Sequence, residues 1–263
     1  MREQVLVHPC SMRNLTEPVN QKEPRMDFPS LGGQDPFIRE QFRVLCTKLV
    51  EKIESLKIKI IGITSSIAGE GKTVSALNLA PSLTRAGDWK VLLLDADLRK
   101  SDVSRHLALN GHPGLSEYLL GKAELKEIIQ KSRVPGLFVI PSGKYEREPA
   151  ELFSQERFKH FVKGVAGHFD VVLLDTPPIL PVADTACIKD KIDAFVLIFR
   201  TKYTPHPMLT QAVENIGEEK ILGVVLNCLD PPSYREWNKY FGRYYRNGRV
   251  EERHKKTKED PNG

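Results

Sequence analysis

The sequence predicts a doubly wound α/β fold, a mostly parallel β-sheet flanked by helices, with disordered segments at both ends. Three observations predict it. Short β-branched runs recur between helix-like stretches, and most of these runs are apolar on both faces, as strands covered by helices on both sides are. The third is local: one run ends in a glycine-bearing loop that opens a helix, and ligands of such sheets bind at the carboxyl ends of strands.

The elements follow in order. Residues 1–35 are polar, carry several prolines and show no sustained period, so they are expected to form a flexible arm. From Ile38 to Leu56, the residues Ile38, Phe42, Leu45, Leu49, Ile53 and Leu56 fall on one helical stripe. Strands are expected at Ile58 to Thr64, Val91 to Asp95, Leu137 to Pro141, Val171 to Asp175, Phe195 to Arg200 and Ile221 to Leu226. Helices are expected between them at Thr73 to Ala86, Pro149 to Ala166, Val182 to Lys191 and His206 to Ile216. The apolar pattern stops near Asp230, which divides the chain into an arm (1–35), a folded domain (36–230) and a tyrosine-rich tail (231–263).

Composition narrows the class. A chain of 263 residues with 40% hydrophobic content can bury one substantial core. Its net charge of +5 is modest and spread along the sequence, so bulk charge gives no reason to expect nucleic acid. The cysteines Cys10, Cys46, Cys187 and Cys228 are widely spaced and form neither a zinc pattern nor a disulfide framework, which fits a reducing cytoplasm. The apolar runs are far shorter than the roughly 18 to 20 residues of a membrane span, and residues 1–14 lack an apolar signal segment. Membrane association is therefore expected only through a partner or a surface contact.

Ser66-Ile67-Ala68-Gly69-Glu70-Gly71-Lys72-Thr73 lies between a predicted strand and a predicted helix, the context a phosphate-binding loop requires. Residues Ala68, Gly69, Glu70, Gly71, Lys72, Thr73 and Val74 are the expected nucleotide contacts. Gly69 and Gly71 let backbone amides turn toward phosphates, the helix N-terminus adds its dipole, Lys72 offers a charge to the outer phosphates, and the Thr73 hydroxyl can hold magnesium. Two carboxylates, Asp95 and Asp97, end one strand two residues apart, and Asp175 ends another. Any one of them alone reads equally well as a helix cap. Together with the loop they describe a site for a nucleotide and magnesium.

The succession of Ser65 to Thr73, then Leu92-Leu93-Leu94-Asp95-Ala96-Asp97-Leu98-Arg99, then Leu173-Leu174-Asp175-Thr176-Pro177-Pro178, then a tyrosine-bearing tail, resembles the bacterial protein-tyrosine kinases that regulate capsular and exopolysaccharide synthesis. The resemblance runs from about Phe37 to Asp230. It implies a P-loop NTPase fold, tyrosine autophosphorylation with ATP and Mg2+, the Mg2+ held by Thr73, Asp97 and Asp175, Lys72 on the outer phosphates, and Asp95 and Asp97 acting on metal and on the tyrosine hydroxyl. Asp95 is the first choice for accepting that proton, with Asp97 able to exchange roles. The resemblance gives Asn227 a base contact, although a loop-capping asparagine fits the position equally; Arg99 serves either phosphate or a salt bridge. Tyr234, Tyr240, Tyr244 and Tyr245 fall in the tail and are the expected phosphoacceptors. On its own, such a tail of tyrosines and arginines also suits stacking on single-stranded nucleic acid.

The resemblance further implies a membrane activator akin to a chain-length-determinant protein of polysaccharide export. It also implies trans-phosphorylation within an oligomer, a cognate tyrosine phosphatase, and a position at the inner face of the membrane held by that partner. Two departures stand out. Ala68 replaces a common proline in the loop. In the helix motif Glu-x-x-Arg-x-x-Arg used for ring assembly, Glu40 and Arg43 match but Cys46 replaces the second arginine. Two rivals share the motifs: a partitioning or positioning ATPase, whose signature lysine would stand where Ile67 does, and a nucleotide-binding regulatory subunit of a polysaccharide export complex.

Overall fold

The structure is a computed structural model and describes residues 36–144 and 146–228. Seven strands form one sheet: β1 (Ile60–Ser65), β2 (Val91–Asp95), β3 (Gln130–Lys131), β4 (Leu137–Ile140), β5 (Val171–Asp175), β6 (Ala194–Arg200) and β7 (Ile221–Asn227). Their order across the sheet is β3-β4-β2-β5-β1-β6-β7, and every pairing is parallel except β3 with β4. The expected doubly wound α/β architecture is therefore the one observed. Among the described residues, no helix is long and apolar enough to cross a membrane.

The apolar strands are buried because both faces are covered. On one face α1 (Pro36–Leu56) packs on α2 (Lys72–Gly87), and Leu49, Ile53, Leu77 and Leu83 close over Ile61, Ile63, Leu93 and Leu173. On the other, Phe153, Phe158, Phe161 and Phe169 close over Leu92, Leu94, Val172 and Leu174. Alternate residues of one strand thus enter different cores, which is why the runs show no polar alternation.

Several expected boundaries shift. The first strand begins at Ile60 because Ile58 still donates its amide to Ile53 O at 3.0 Å in the turn closing α1, with Lys57 left-handed at φ 55°. The single helix expected over Pro149 to Ala166 is two, α6 (Pro149–Ser154) and α7 (Glu156–Ala166), broken where Gln155 is extended (φ −74°, ψ 149°). Residues five apart lie about 140° apart around an unbroken helix. The break instead lets Phe153 and Phe158 meet edge-on at 4.9 Å in the same core. The segment Val182 to Lys191 forms a shorter helix, α8 (Asp184–Ile188), and a 3-10 turn at Lys189–Lys191. Three short helices were not expected: α3 (Asp102–His106), α4 (Leu115–Leu119) and α5 (Leu125–Ile128). With β3 they are too short to show a period. The helix α9 (His206–Ile216) falls as expected. The arm at 1–35 and the tail from 229 onward lie outside the described residues.

The order β2-β5-β1 fixes the position of the site. Asp95 is in register with Asp175, and Asp175 with Ile63, so both strand-ending carboxylates stand beside the loop that follows β1.

Candidate active site

The loop from Ser66 to Gly71 leaves the end of β1, and α2 begins at Lys72. Gly69 and Gly71 are left-handed, at φ +83° and +95°, a conformation costly for residues with a Cβ. These turns sort the backbone by polarity. Every carbonyl from Ser65 to Gly71 accepts a hydrogen bond. Ile179 N and Leu180 N reach Ser65 O and Ser66 O at 2.9 and 3.3 Å, and Ser65 Oγ reaches Ile67 O at 2.8 Å. Tyr203 Oη reaches Ala68 O at 3.2 Å, Arg200 Nη1 reaches Gly69 O at 3.1 Å, and Asn227 Nδ2 reaches Glu70 O at 2.8 Å. Ser75 N closes on Gly71 O at 2.9 Å. The Ile67 amide is taken by the Glu70 carboxylate at 2.7 Å. The amides of Ala68, Gly69, Glu70, Gly71, Lys72 and Thr73 have no acceptor among the described residues, which leaves a row of donors at a helix N-terminus.

Beside this row, Lys72 Nζ lies 3.0 Å from Asp97 Oδ2 and 3.6 Å from Asp175 Oδ1. Burial would lower the Lys72 pKa, but the carboxylates of Asp175, Asp97 and Asp95 outweigh it, and the ammonium is held above its usual value. Asp95 and Asp175 are fully buried at adjacent strand ends. Burial foremost, then the Asp175 charge, pushes the Asp95 carboxyl well above the usual carboxylate range; burial also raises Asp175, against the pull of Lys72. Asp95 Oδ1 accepts the Asp97 amide at 3.1 Å, while Asp95 Oδ2 and both Asp175 oxygens have no hydrogen-bond partner among the described residues.

These buried oxygens, those of Asp175 facing the Lys72 ammonium at 3.6 Å and the Thr73 hydroxyl, test the fit of a divalent cation and nucleotide phosphates. Buried carboxylate oxygens left without a full set of hydrogen bonds call for a further partner. No cluster of three or more His, Cys, Asp or Glu side chains forms a metal cage among the described residues. Magnesium asks for one or two carboxylates and the substrate's phosphates rather than an all-protein cage, and Asp97 and Asp175 lie on either side of Lys72 beside the loop. The residues fit.

The remaining expected residues divide. The Glu70 side chain is fully buried and turned away from the cradle, accepting from Ile67 N, Arg200 N and the Thr204 hydroxyl, so its carboxylate is internal scaffolding and only its backbone faces the site. Val74 is exposed on the first turn of α2. Asn227 ends β7 as expected, with Nδ2 on the loop and Oδ1 accepting from Cys228 N at 2.9 Å. Arg99 forms a two-pronged pair with the buried Asp184, at 2.7 and 3.1 Å, the salt-bridge alternative of the sequence reading. Glu40 and Arg43 pair along α1, and Cys46 is turned into the α1 and α2 interface, its Sγ 4.0 Å from Leu79 O. Tyr234, Tyr240, Tyr244 and Tyr245 lie outside the described residues. Arg200, Tyr203 and Thr204 escaped the sequence reading. All the sequence offers is a polar run, Arg-Thr-Lys-Tyr-Thr, starting at the last residue of β6, and it names no partner for them.

A parallel sheet with a donor-lined loop, a loop lysine and two strand-ending acids at one edge defines a P-loop nucleotide-binding protein, and residues 58–217 match the AAA domain family. Relatives narrow the class. The chain is 37% identical over 187 residues to the tyrosine-protein kinase CpsD of Streptococcus agalactiae, covering 69% of this chain and 81% of that one. It is 34% identical over 203 residues to the tyrosine-protein kinase YwqD of Bacillus subtilis, covering 76% and 85%. Its fold superimposes on the kinase domain of the Escherichia coli tyrosine kinase ETK with a TM-score of 0.72 at 29% identity, over 80% of this chain and 82% of that one. The chain belongs to this family of bacterial tyrosine-protein kinases and is an enzyme of that class.

Proposed function

We propose that the protein uses ATP and Mg2+ to phosphorylate its own tail tyrosines, Tyr234, Tyr240, Tyr244 and Tyr245, and that this autophosphorylation regulates synthesis and export of a capsular or extracellular polysaccharide. The observation that carries the reading is the polarity of the loop: its carbonyls are satisfied from behind, while six consecutive amides, Ala68 to Thr73, are left for phosphates beside Lys72.

Each residue has a role that follows from its surroundings. The amides hold the phosphate chain in one orientation, which converts transfer into a positioned, nearly unimolecular step. Lys72 exchanges Asp97 and Asp175 for the outer phosphates and neutralises their charge. Thr73, Asp97 and Asp175 would hold magnesium, which supplies further neutralisation of the phosphates. Asp95 accepts the proton of the tyrosine hydroxyl: it ends β2 beside Asp175 and the loop, at the edge of the sheet where the acceptor must meet the phosphates. The tyrosine oxygen forms its bond to the γ-phosphorus, the bond from that phosphorus to the bridging β-oxygen breaks, and ADP leaves with the electron pair.

Modification adds roughly 1.5 to 2 negative charges per tyrosine. The tail also carries Arg235, Lys239, Arg243, Arg246 and Arg249, so phosphorylation inverts its local charge and can switch assembly. A membrane activator of the chain-length-determinant type, a second copy of this chain and a cognate phosphatase complete the proposed system, with the kinase on the cytoplasmic side of the membrane through the activator. Ile67 at the signature-lysine position, with its amide tied to Glu70, supports this reading over a partitioning ATPase.

The test is to incubate the protein with magnesium and ATP, with and without a membrane activator, and to probe for phosphotyrosine beside Lys72→Met and tail-deleted variants. Signal lost in both variants is expected. Hydrolysis of ATP without any phosphotyrosine would favour the ATPase instead.

A further inference from the structure

A loop whose amides converge on an anion must turn its carbonyls outward, and a carbonyl left there without a donor costs the protein a hydrogen bond. In this chain, donors for two adjacent carbonyls come from the last residue of β6 and from the short connection that follows it to α9. Tyr203 Oη donates to Ala68 O at 3.2 Å and Arg200 Nη1 to Gly69 O at 3.1 Å. The Arg200 guanidinium lies 4.8 Å from the centre of the Tyr203 ring, so the two side chains brace each other. One residue on, the Thr204 hydroxyl donates to the buried Glu70 carboxylate, which in turn accepts from Ile67 N. Residues 67 to 70 are thus gripped by residues more than a hundred positions later in the chain.

We infer that Arg200 and Tyr203, with Thr204 acting through Glu70, form a latch that holds the first half of the loop in its nucleotide-binding shape. They are positioning residues, not catalytic ones. The latch is separate from the strands that carry Asp95 and Asp175. Its outer side is open to solvent, with Tyr203 49% exposed, so no core packing depends on the phenol hydroxyl. Removing that hydroxyl leaves Ala68 O without its donor and frees the loop to turn peptide groups away from the phosphates. The cost appears as weaker nucleotide binding, while chemistry on nucleotide that does bind proceeds as before. This inference rests on the nucleotide role proposed above for the loop.

The experiment is a titration of the full-length protein with a fluorescent ADP analogue and magnesium, comparing wild type, Tyr203→Phe, Arg200→Met and the double variant. Unfolding temperatures without nucleotide and kinase kinetics are measured alongside. Each single variant is expected to weaken binding roughly three- to tenfold, the loss of about one hydrogen bond. KM for ATP should rise with kcat retained, the nucleotide-free unfolding temperature should stay within about 2 °C, and the double variant should lose less than the product of the two factors. Binding and KM within twofold of wild type in Tyr203→Phe would overturn the latch. So would a fall in nucleotide-free stability matching the loss of binding, which marks a purely structural role. Wild type failing to bind the analogue would overturn the nucleotide reading itself, and the latch with it, a result distinct from either of those.

Discussion

Lys72 Nζ rests 3.0 Å from Asp97 Oδ2 in a site from which both side chains have lost nearly all contact with water. The cation proposed to neutralise an outer phosphate is thus paired with a carboxylate proposed to stand beside the same phosphates. Asp97→Asn removes the charge paired with Lys72 and also a proposed magnesium ligand. Phosphotyrosine formation should fall by about a hundredfold or more, while binding of ADP without magnesium should be no weaker than in wild type. Parallel initial-rate and titration measurements check both halves.

Asp95→Asn separates stability from activity. Burial and the Asp175 charge hold the Asp95 carboxyl well above its usual range, so the folded chain keeps a proton that the unfolded chain releases near about pH 3.9. The stability this group allows is complete below the unfolded value and is lost as pH rises through the folded value. Asparagine avoids that loss. The nucleotide-free variant should unfold at a higher temperature than wild type at pH 7, by about 2–4 °C for each kcal/mol recovered. The gain should vanish below about pH 4, and phosphotyrosine should be lost at every pH.

Gly71→Ala tests the geometry of the cradle. Gly71 is left-handed at φ +95°, and an added Cβ would run into Asn227 Nδ2. The left-handed backbone alone costs about 1–2 kcal/mol, and displacing Asn227 leaves Glu70 O without its donor. Lower thermal stability and loss of ADP binding are expected by calorimetry. Unchanged binding would mean that the loop functions in another shape.

The cysteines give a check independent of the site. Burial pushes the Cys46 thiol up to about 12, against a side-chain hydrogen bond with Ser82 that lowers it. Cys228 is exposed. Iodoacetamide at pH 8 should label Cys228 and leave Cys46 intact in the folded protein, as read by mass spectrometry, because the thiolate is the nucleophile. Equal labelling of the two would place Cys46 outside the α1 and α2 interface.

These residues also show where the sequence was legible. Asp95 and Asp175 could be read because each ends an apolar run and a parallel sheet brings strand ends to one edge, and Lys72 because it closes a glycine-bearing loop between a strand and a helix. Arg200 and Tyr203 could not, since their partners are backbone carbonyls 131 and 135 positions away and carry no side-chain signature. Glu70 is legible only in part. Its place in the loop predicts a ligand contact, for which its amide is available, whereas its carboxylate is fully buried behind the loop. The break at Gln155 was hidden because α6 and α7 each keep a helical stripe, and only the meeting of Phe153 with Phe158 shows that the stripes belong to different helices.

The central claim is transfer from ATP in this cradle to a tyrosine of the tail. The most direct measurement mixes full-length Lys72→Met, as acceptor, with a tail-deleted chain carrying an intact cradle, as donor. The two are incubated with magnesium, ATP and the membrane activator, and phosphotyrosine is mapped by mass spectrometry. Phosphate on Tyr234, Tyr240, Tyr244 or Tyr245 of the Lys72→Met chain, absent when the donor carries Asp95→Asn, is the predicted result. Release of ADP with none of these tyrosines modified would contradict it.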